Sequence, residues 1–306
     1  MKHIFLGALL IASHIAVSQH NYQLSKAATV NLDRTIKILK NPQMTGVLVI
    51  AHRGDWRNAP ENSIMAIKNS IAMGVDVVEI DLAKTKDGHI VLMHDETLER
   101  TTNGKGKVSD WTLDSLKALF LKDGLGIITP HKIPTLEEAL MVIKDKILVN
   151  LDKGYDYFGQ SYHLLKKTGT LHQAIIKSTH PVEKVIAENG RYLKEMMFMP
   201  IVNIDDPSAL TIIKNYQAKA KPVAFELLFN SDTSKILKMV PQLVKQGSRY
   251  WANSLWDRLS AGHGDERAVF DPEANYGWIV NHGFTLIQTD RPAFLIDYLK
   301  CKKLHN

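Results

Sequence analysis

Val75-Asp76-Val77-Val78-Glu79-Ile80-Asp81-Leu82 is an apolar, β-branched run with two carboxylates set at alternate positions near its end. In a strand, residues i and i+2 point to one face with Cα atoms roughly 6.5–7 Å apart. Glu79 and Asp81 therefore project together, while Val78, Ile80 and Leu82 face the other way. Two neighbouring anions repel each other and lose hydration unless a cation or a basic group lies between them. A hard divalent cation with oxygen ligands, Ca²⁺ or Mg²⁺, suits that pair. Most isolated Glu-x-Asp strings are solvated strand faces, but the apolar flanks here predict a buried strand.

Two further apolar runs end in histidine. Val47-Leu48-Val49-Ile50-Ala51 leads into His52-Arg53-Gly54, and Ile90-Val91-Leu92-Met93 leads into His94-Asp95. One histidine after a strand is more often structural than catalytic. Two beside a cation site supply what cleavage of a phosphodiester needs: a base for the attacking hydroxyl and an acid for the departing oxygen, both near neutral pH. Arg53 adds a guanidinium whose fork matches phosphate oxygens, with a surface ion pair as its plain alternative.

The rest of the chain alternates between strand and helix patterns. Strands are expected at Val47–Ala51, Val75–Leu82, Ile147–Leu151, Ala174–Lys177, Met196–Ile201, Val223–Leu228, Tyr250–Asn253 and Phe284–Ile287. Helices are expected at Ser63–Met73, Thr135–Ile143, Gly159–Lys167, Pro181–Asn189, Pro207–Ala218, Thr233–Gln246, Ala274–Asn281 and Ala293–Lys302. Eight strands alternating with helices predict an α/β fold with a closed parallel sheet, whose chemistry lies at the C-terminal strand ends. Ile90–Met93 is then an extra strand leading into that face, and residues 95–132 form an insertion. Asn21–Met44 reads as a helical extension packed outside the barrel.

The ordered set His52-Arg53-Gly54, Pro60-Glu61-Asn62-Ser63, Glu79-x-Asp81, Thr85-x-Asp87-Gly88, His94-Asp95 and Leu98-x-Arg100-Thr101-Thr102 resembles the glycerophosphodiester phosphodiesterase family. Gly106-x-Val108-x-Asp110-x-Thr112, Ile133-Pro134-Thr135-Leu136 and Thr289-Asp290-Arg291-Pro292 continue the likeness. It is dense from Val47 to Leu140, thin in the middle, and returns near Gly283. The resemblance implies a single (β/α)₈ TIM barrel over residues 46–306 with a small insertion after the second strand. It also implies a divalent cation, acid–base catalysis by His52 and His94, and hydrolysis of glycerophosphodiesters to sn-glycerol 3-phosphate and an alcohol. Arg53 would bind the phosphate.

The third strand departs from the family pattern, which there carries Glu-x-Lys. This chain has Asn150-Leu151-Asp152-Lys153-Gly154. Asp152 is expected to join Glu79 and Asp81 as the third metal ligand, since Asn150 and Asp152 share a face. Lys153 points outward if the strand stays regular and inward if a bulge turns it; Lys177 on the next strand can restore the missing charge toward substrate, with a solvent lysine as its plain alternative. Trp251 and Asn253, with Trp256 nearby, match the family's substrate pocket loosely, and core packing is the alternative for the tryptophans. Glu226 is either a buried structural acid or a mouth residue. His263 reads as loop, Asp290 as a helix N-terminal residue before Pro292 with contact to the site as the alternative, and Pro60, Asn62 and Ser63 as the start of the first helix. The altered strand leaves two alternatives open: an enzyme for phosphoinositide or glycerophosphoinositol substrates, and a non-catalytic glycerophosphodiester-binding barrel.

Composition fits a soluble enzyme, with 306 residues, 45% hydrophobic and 23% charged. The net charge of +6 is spread over helical faces rather than gathered in a tract, so a small-molecule partner is expected and nucleic acid is not. Met1-Lys2-His3, the apolar Ile4–Val17 and the small residues of Ala16-Val17-Ser18 read as a signal peptide over residues 1–18, hence periplasmic or extracellular export. No cysteine stands at the cleavage point, so no lipid anchor is expected. Cys301 is the single cysteine, which excludes an intrachain disulfide. Oligomeric state is not readable.

Overall fold

The structure, a computed structural model, describes residues 31–305; the expected signal peptide lies outside them. Among the described residues, eight parallel strands close a ring: β1 (Leu48–Ala51), β2 (Val77–Lys84), β4 (Leu148–Asp152), β5 (Ala174–Ser178), β6 (Met197–Asn203), β7 (Ala224–Leu228), β8 (Arg249–Asn253) and β9 (Leu286–Thr289). β9 pairs back onto β1 and so closes the barrel. β3 (Ile90–Leu92) runs antiparallel along the end of β2, with Leu82 opposite Leu92. The fold is the expected (β/α)₈ TIM barrel, with helices between strands.

Each strand alternates between two cores. Val49, Val78, Ile80, Val149, Leu151, Ile176, Phe225, Tyr250 and Ile287 face outward into the layer under the helices. Leu48, Ile50, Val77, Leu148, Ile175, Met197, Met199, Ala224, Trp251 and Leu286 fill the barrel interior. Continuing the same inward phase two or four residues further brings His52, Glu79 and Asp81, Asn150 and Asp152, Lys177, Glu226, Asn253 and Gln288. The interior therefore changes from apolar to charged along the strand direction, and the charged layer lies at the C-terminal ends.

The helix α1 (Leu32–Lys40) is the described part of the expected N-terminal extension. It does not pack outside the barrel: Ile38 and Leu39 join the interior cluster and cork the N-terminal opening. Its N-cap is Asn31, whose side chain accepts from the Arg34 N–H at 3.0 Å. The buried Arg249 side chain fastens it by donating to the carbonyls of Asn41 and Met44 at 2.9 and 2.7 Å. Two expected helices are broken. Thr233–Gln246 becomes a 3₁₀ turn, Leu237–Met239, and a short helix, Val240–Val244, because Pro241 fits the first turn of a helix and not its interior. Ala274–Asn281 opens with a π-helical turn over Glu273–Gly277. Residues 95–132 carry a satellite core of Leu98, Val108, Leu116 and Leu121 packed on Val91 and Met93.

Candidate active site

The first barrel strand ends in a turn that only this sequence geometry permits. Arg53 and Gly54 both take positive φ, +54° and +76°, and a Cβ on Gly54 would come within 2.8 Å of the Ala66 Cβ. The turn lays the Arg53 N–H against Glu79 Oε2 at 2.9 Å and brings His52 to the barrel mouth. His52 Nδ1 lies 2.8 Å from Asp290 Oδ1, while Arg53 Nε donates to His52 Nε2 at 3.2 Å. A guanidinium N–H can approach Nε2 only if a lone pair is there, so the arrangement assigns the proton to Nδ1. His94 is held the same way, with Nδ1 2.7 Å from Asp95 Oδ1. Both imidazoles thus have Nδ1 committed to an aspartate.

Glu79, Asp81 and Asp152 converge. Parallel register puts Asp81 opposite Asp152, and one oxygen from each of the three carboxylates lies within 4.8 Å of the others. Burial and the charges of Asp81 and Asp152 push the Glu79 carboxyl well above its usual range. Asp152 moves the other way: burial would raise it, but the Lys177 charge together with the Lys153 N–H and charge outweighs that and holds it low. Asn62 grips Asp81 from both sides, donating Nδ2 to Oδ2 at 2.8 Å and accepting the Asp81 N–H at 2.9 Å. Beside Glu79 in register, Asn150 Oδ1 is buried without a hydrogen-bond partner. Three hard oxygen donors, mutual repulsion and an orphaned neutral oxygen fit a divalent cation.

Lys177 is buried beneath this cluster, 3.8 Å from Asp152 Oδ2 and 3.2 Å from Glu226 Oε2. Burial would lower its pKa, yet the charges of Asp152, Glu226 and Glu79 outweigh it and keep the ammonium charged. Asn253 Nδ2 donates to Glu226 Oε1 at 2.7 Å, and Trp251 Nε1 donates to Asn253 Oδ1 at 2.9 Å. Trp251 and Asn253, expected in the substrate pocket, are both buried in the barrel interior and support Lys177 from below. The aromatic rings at the mouth are Trp256, whose ring meets His52 edge-on at 5.8 Å, and Trp56. Lys153 does not point outward. The strand stops at Asp152, Lys153 takes φ +57°, and its ammonium donates to the His94 carbonyl.

At His52 and Arg53 opens a cavity of about 360 Å³, lined also by Glu61, Arg100, Lys122, Asp123, Asp290 and the two tryptophans. The family model for glycerophosphoryl diester phosphodiesterases matches residues 52–198, which contain both histidines, the three carboxylates and Lys177. Residues 52–198 belong to the glycerophosphodiester phosphodiesterase family. A second model, described as a domain of unknown function, matches residues 198–299. A glycerophosphodiester phosphodiesterase of Caldanaerobacter subterraneus is 50% identical over 107 residues, 34% of this chain and 44% of that protein. Glycerophosphodiester phosphodiesterase 1 of Homo sapiens is 38% identical over 110 residues, 35% of this chain and 33% of that one. The chain thus matches less than half the length of these curated relatives. The crystal structure of a glycerophosphoryl diester phosphodiesterase from Parabacteroides distasonis superposes with a TM-score of 0.72 at 27% identity, covering 89% of this chain and 92% of that one.

The roles of Trp56 and Asn62 escaped sequence reasoning, while the sequence leaves Asp290 open between the last helix and the site. It takes the site role, accepting from Trp56 Nε1 at 2.6 Å as well as holding His52, and the helix begins at Pro292. Its signal was phase: it follows Leu286 and Gln288 at two-residue steps. Asn62 belongs to Asp81, and Ser63 alone caps the first helix. His263 is structural, its Nδ1 on the Ala274 carbonyl and its ring stacked on Trp278.

Glu61 and Arg100 complete a chain between the two histidines. Arg53 Nη1 donates to Glu61 at 3.1 Å, Arg100 donates to Glu61 at 2.7 and 2.8 Å, and Arg100 also donates to Asp95 at 2.7 and 2.8 Å. Burial would raise the Glu61 carboxyl, but the hydrogen bonds and charges of Arg100 and Arg53 hold it below the ordinary range. Arg100's hydrogen bonds lower Asp95 more strongly still. Depressed carboxyl pKa values stabilise the fold above the unfolded pKa of about 4, and that stability disappears as pH falls through the lowered folded values. Arg100→Met is expected to flatten the acid limb of a urea-midpoint profile taken below pH ~4, by about 1 kcal/mol given Arg100's exposure. An unchanged limb would mean that the acid-sensitive stability resides elsewhere.

Proposed function

We propose that this protein is a metal-dependent phosphodiesterase that hydrolyses glycerophosphodiesters to sn-glycerol 3-phosphate and an alcohol, with His52 and His94 as its acid–base pair. The observation that carries this reading is the pairing of two aspartate-held imidazoles with a three-carboxylate cluster at one barrel mouth. A structure of an Oleispira antarctica phosphodiesterase with the product sn-glycerol-3-phosphate has the same fold, with TM-score 0.62 at 21% identity over 83% of this chain and 97% of that one. The convergence of Asp152 on Glu79 and Asp81 counts against the non-catalytic alternative.

Glu79, Asp81 and Asp152 would hold the cation, Ca²⁺ or Mg²⁺, which when bound supplies Lewis-acid charge at the phosphate. Arg53 and Arg100 turn from Glu61 toward the non-bridging oxygens. His52 Nε2, carrying the lone pair, removes the proton from the attacking hydroxyl, whether of water or of the adjacent glycerol carbon. Asp290 stabilises the imidazolium that results. His94, anchored by Asp95, protonates the departing alkoxide.

The test is release of glycerol 3-phosphate from a panel of glycerophosphodiesters by the chain lacking residues 1–18, with Ca²⁺, Mg²⁺ or EDTA. Cation-dependent release is the expected result. No release from any compound, or inositol phosphate as the only product, would overturn the assignment.

A further inference from the structure

Asp265, 1% exposed, is a carboxylate that the chemistry above leaves unused. It opens the short helix Asp265–Ala268 that follows β8. The hydroxyls of Ser254, Tyr276 and Thr289 donate to its Oδ1 at 2.7, 2.8 and 2.7 Å, and the Asp290 N–H donates to its Oδ2 at 2.6 Å. Tyr276 belongs to the π-helical turn Glu273–Gly277. Burial pushes the Asp265 carboxyl up to about 6 despite these donors. Arg291, whose charge reaches it, pairs instead with Glu266 at 2.7 Å. Burying a carboxylate with no cation against it costs free energy that an apolar residue would avoid.

What the carboxylate holds is residue 290. Asp265 takes the Asp290 N–H, and on the other side Arg57 Nε donates to the Asp290 carbonyl at 2.9 Å. Arg57 in turn pairs with Glu266, the residue next to Asp265. Two consecutive acids thus fasten both backbone poles of Asp290, one directly and one through an arginine. The side chain carried by that backbone puts Oδ1 2.8 Å from His52 Nδ1, and Trp56 Nε1 donates to the same oxygen at 2.6 Å. We propose that Asp265 and Glu266 are positioning residues for the phosphodiesterase reaction, holding Asp290 so that His52 keeps its proton on Nδ1 and its lone pair toward the cavity. This rests on the phosphodiesterase reading. Both histidines and the three converging carboxylates precede residue 153, so the clamp is how the last strands of the barrel enter the chemistry.

The experiment compares kcat and KM for glycerophosphocholine, with the cation present, across variants of the clamp. Asp265→Ala should lower kcat about 30-fold with KM steady, the scale of a displaced catalytic group. Asp265→Asn can offer its oxygen to the Asp290 N–H and its amide N–H groups to the hydroxyls, and should recover most of that loss. Glu266→Ala changes a side chain that is 65% exposed, so it folds whatever becomes of the buried variant, and should lose about fivefold. Beside Asp290→Ala neither substitution should lower kcat further, because a residue acting only through Asp290 has nothing left to hold. Two-bond proton–nitrogen NMR spectra of the imidazoles read the same clamp without turnover. Neutral His52 should be a single Nδ1–H tautomer in the wild type and a mixture in Asp265→Ala and Glu266→Ala, with His94 unchanged. A wild-type kcat in Glu266→Ala, a loss that persists beside Asp290→Ala, or an unchanged His52 tautomer overturns the proposal. Failure of the phosphodiesterase reading is distinct: the wild type then cleaves nothing, and the imidazole spectra still decide whether the clamp positions His52.

Discussion

His52→Ala is expected to lower kcat for glycerophosphodiester hydrolysis by about 10³-fold while leaving KM nearly unchanged, the size of a lost general base. The imidazole is held at its far nitrogen by Asp290 and flanked by the Trp256 ring, so the substitution removes one proton acceptor and leaves the carboxylate cluster in place. Asp290→Asn should act through the same group. An amide at 290 can present its N–H to Nδ1, driving the proton to Nε2 and spoiling the lone pair that faces the cavity. A loss of about 10²-fold is expected. The decisive comparison is the double variant, which should be no worse than His52→Ala alone, because a residue that works only through His52 has nothing left to act on. Losses that multiply would give Asp290 an independent role and sink the positioning argument.

Glu79→Gln should separate folding from cation binding. Glu79 is almost fully buried between two other carboxylates, and its charged form is disfavoured by burial first and by Asp81 second. Glutamine keeps an acceptor for the Arg53 N–H and removes the repulsion. In EDTA the variant is therefore expected to melt a few degrees higher than the wild type, a gain of about 1 kcal/mol. With Ca²⁺ or Mg²⁺ added the order should reverse: the wild type gains stability by binding, and the variant, with affinity lowered more than about 100-fold, does not. Thermal unfolding with and without cation reads both effects without an activity assay. An equal cation-induced shift in both proteins would remove Glu79 from the ligand set.

The barrel was legible because its strands obey a period of two over long apolar runs, so Glu79 and Asp81 could be put on one face before any coordinates. Asp152 followed from the same count. What escaped depends on distance and depth. Asp290 meets His52 across 238 positions; ring closure brings β9 beside β1, but the helix start at Pro292 competes for the residue in the sequence. Trp251 and Trp256 are five residues apart, yet one is sealed in the interior and the other stands at the mouth. Which layer a residue occupies depends on where its strand begins relative to its neighbours. Lys153 stayed open between outward and inward because the sequence does not mark where the strand gives way to the left-handed backbone.

The helix that corks the barrel has a practical consequence. Val47 bonds to the Leu304 carbonyl, and His305 reaches Asp76 beside Thr35, so the described chain enters and leaves on the floor. The mouth is at the opposite pole. A reporter, an affinity handle or a solid support joined at either end of residues 31–305 would approach the molecule from beneath, leaving the barrel mouth facing open solution.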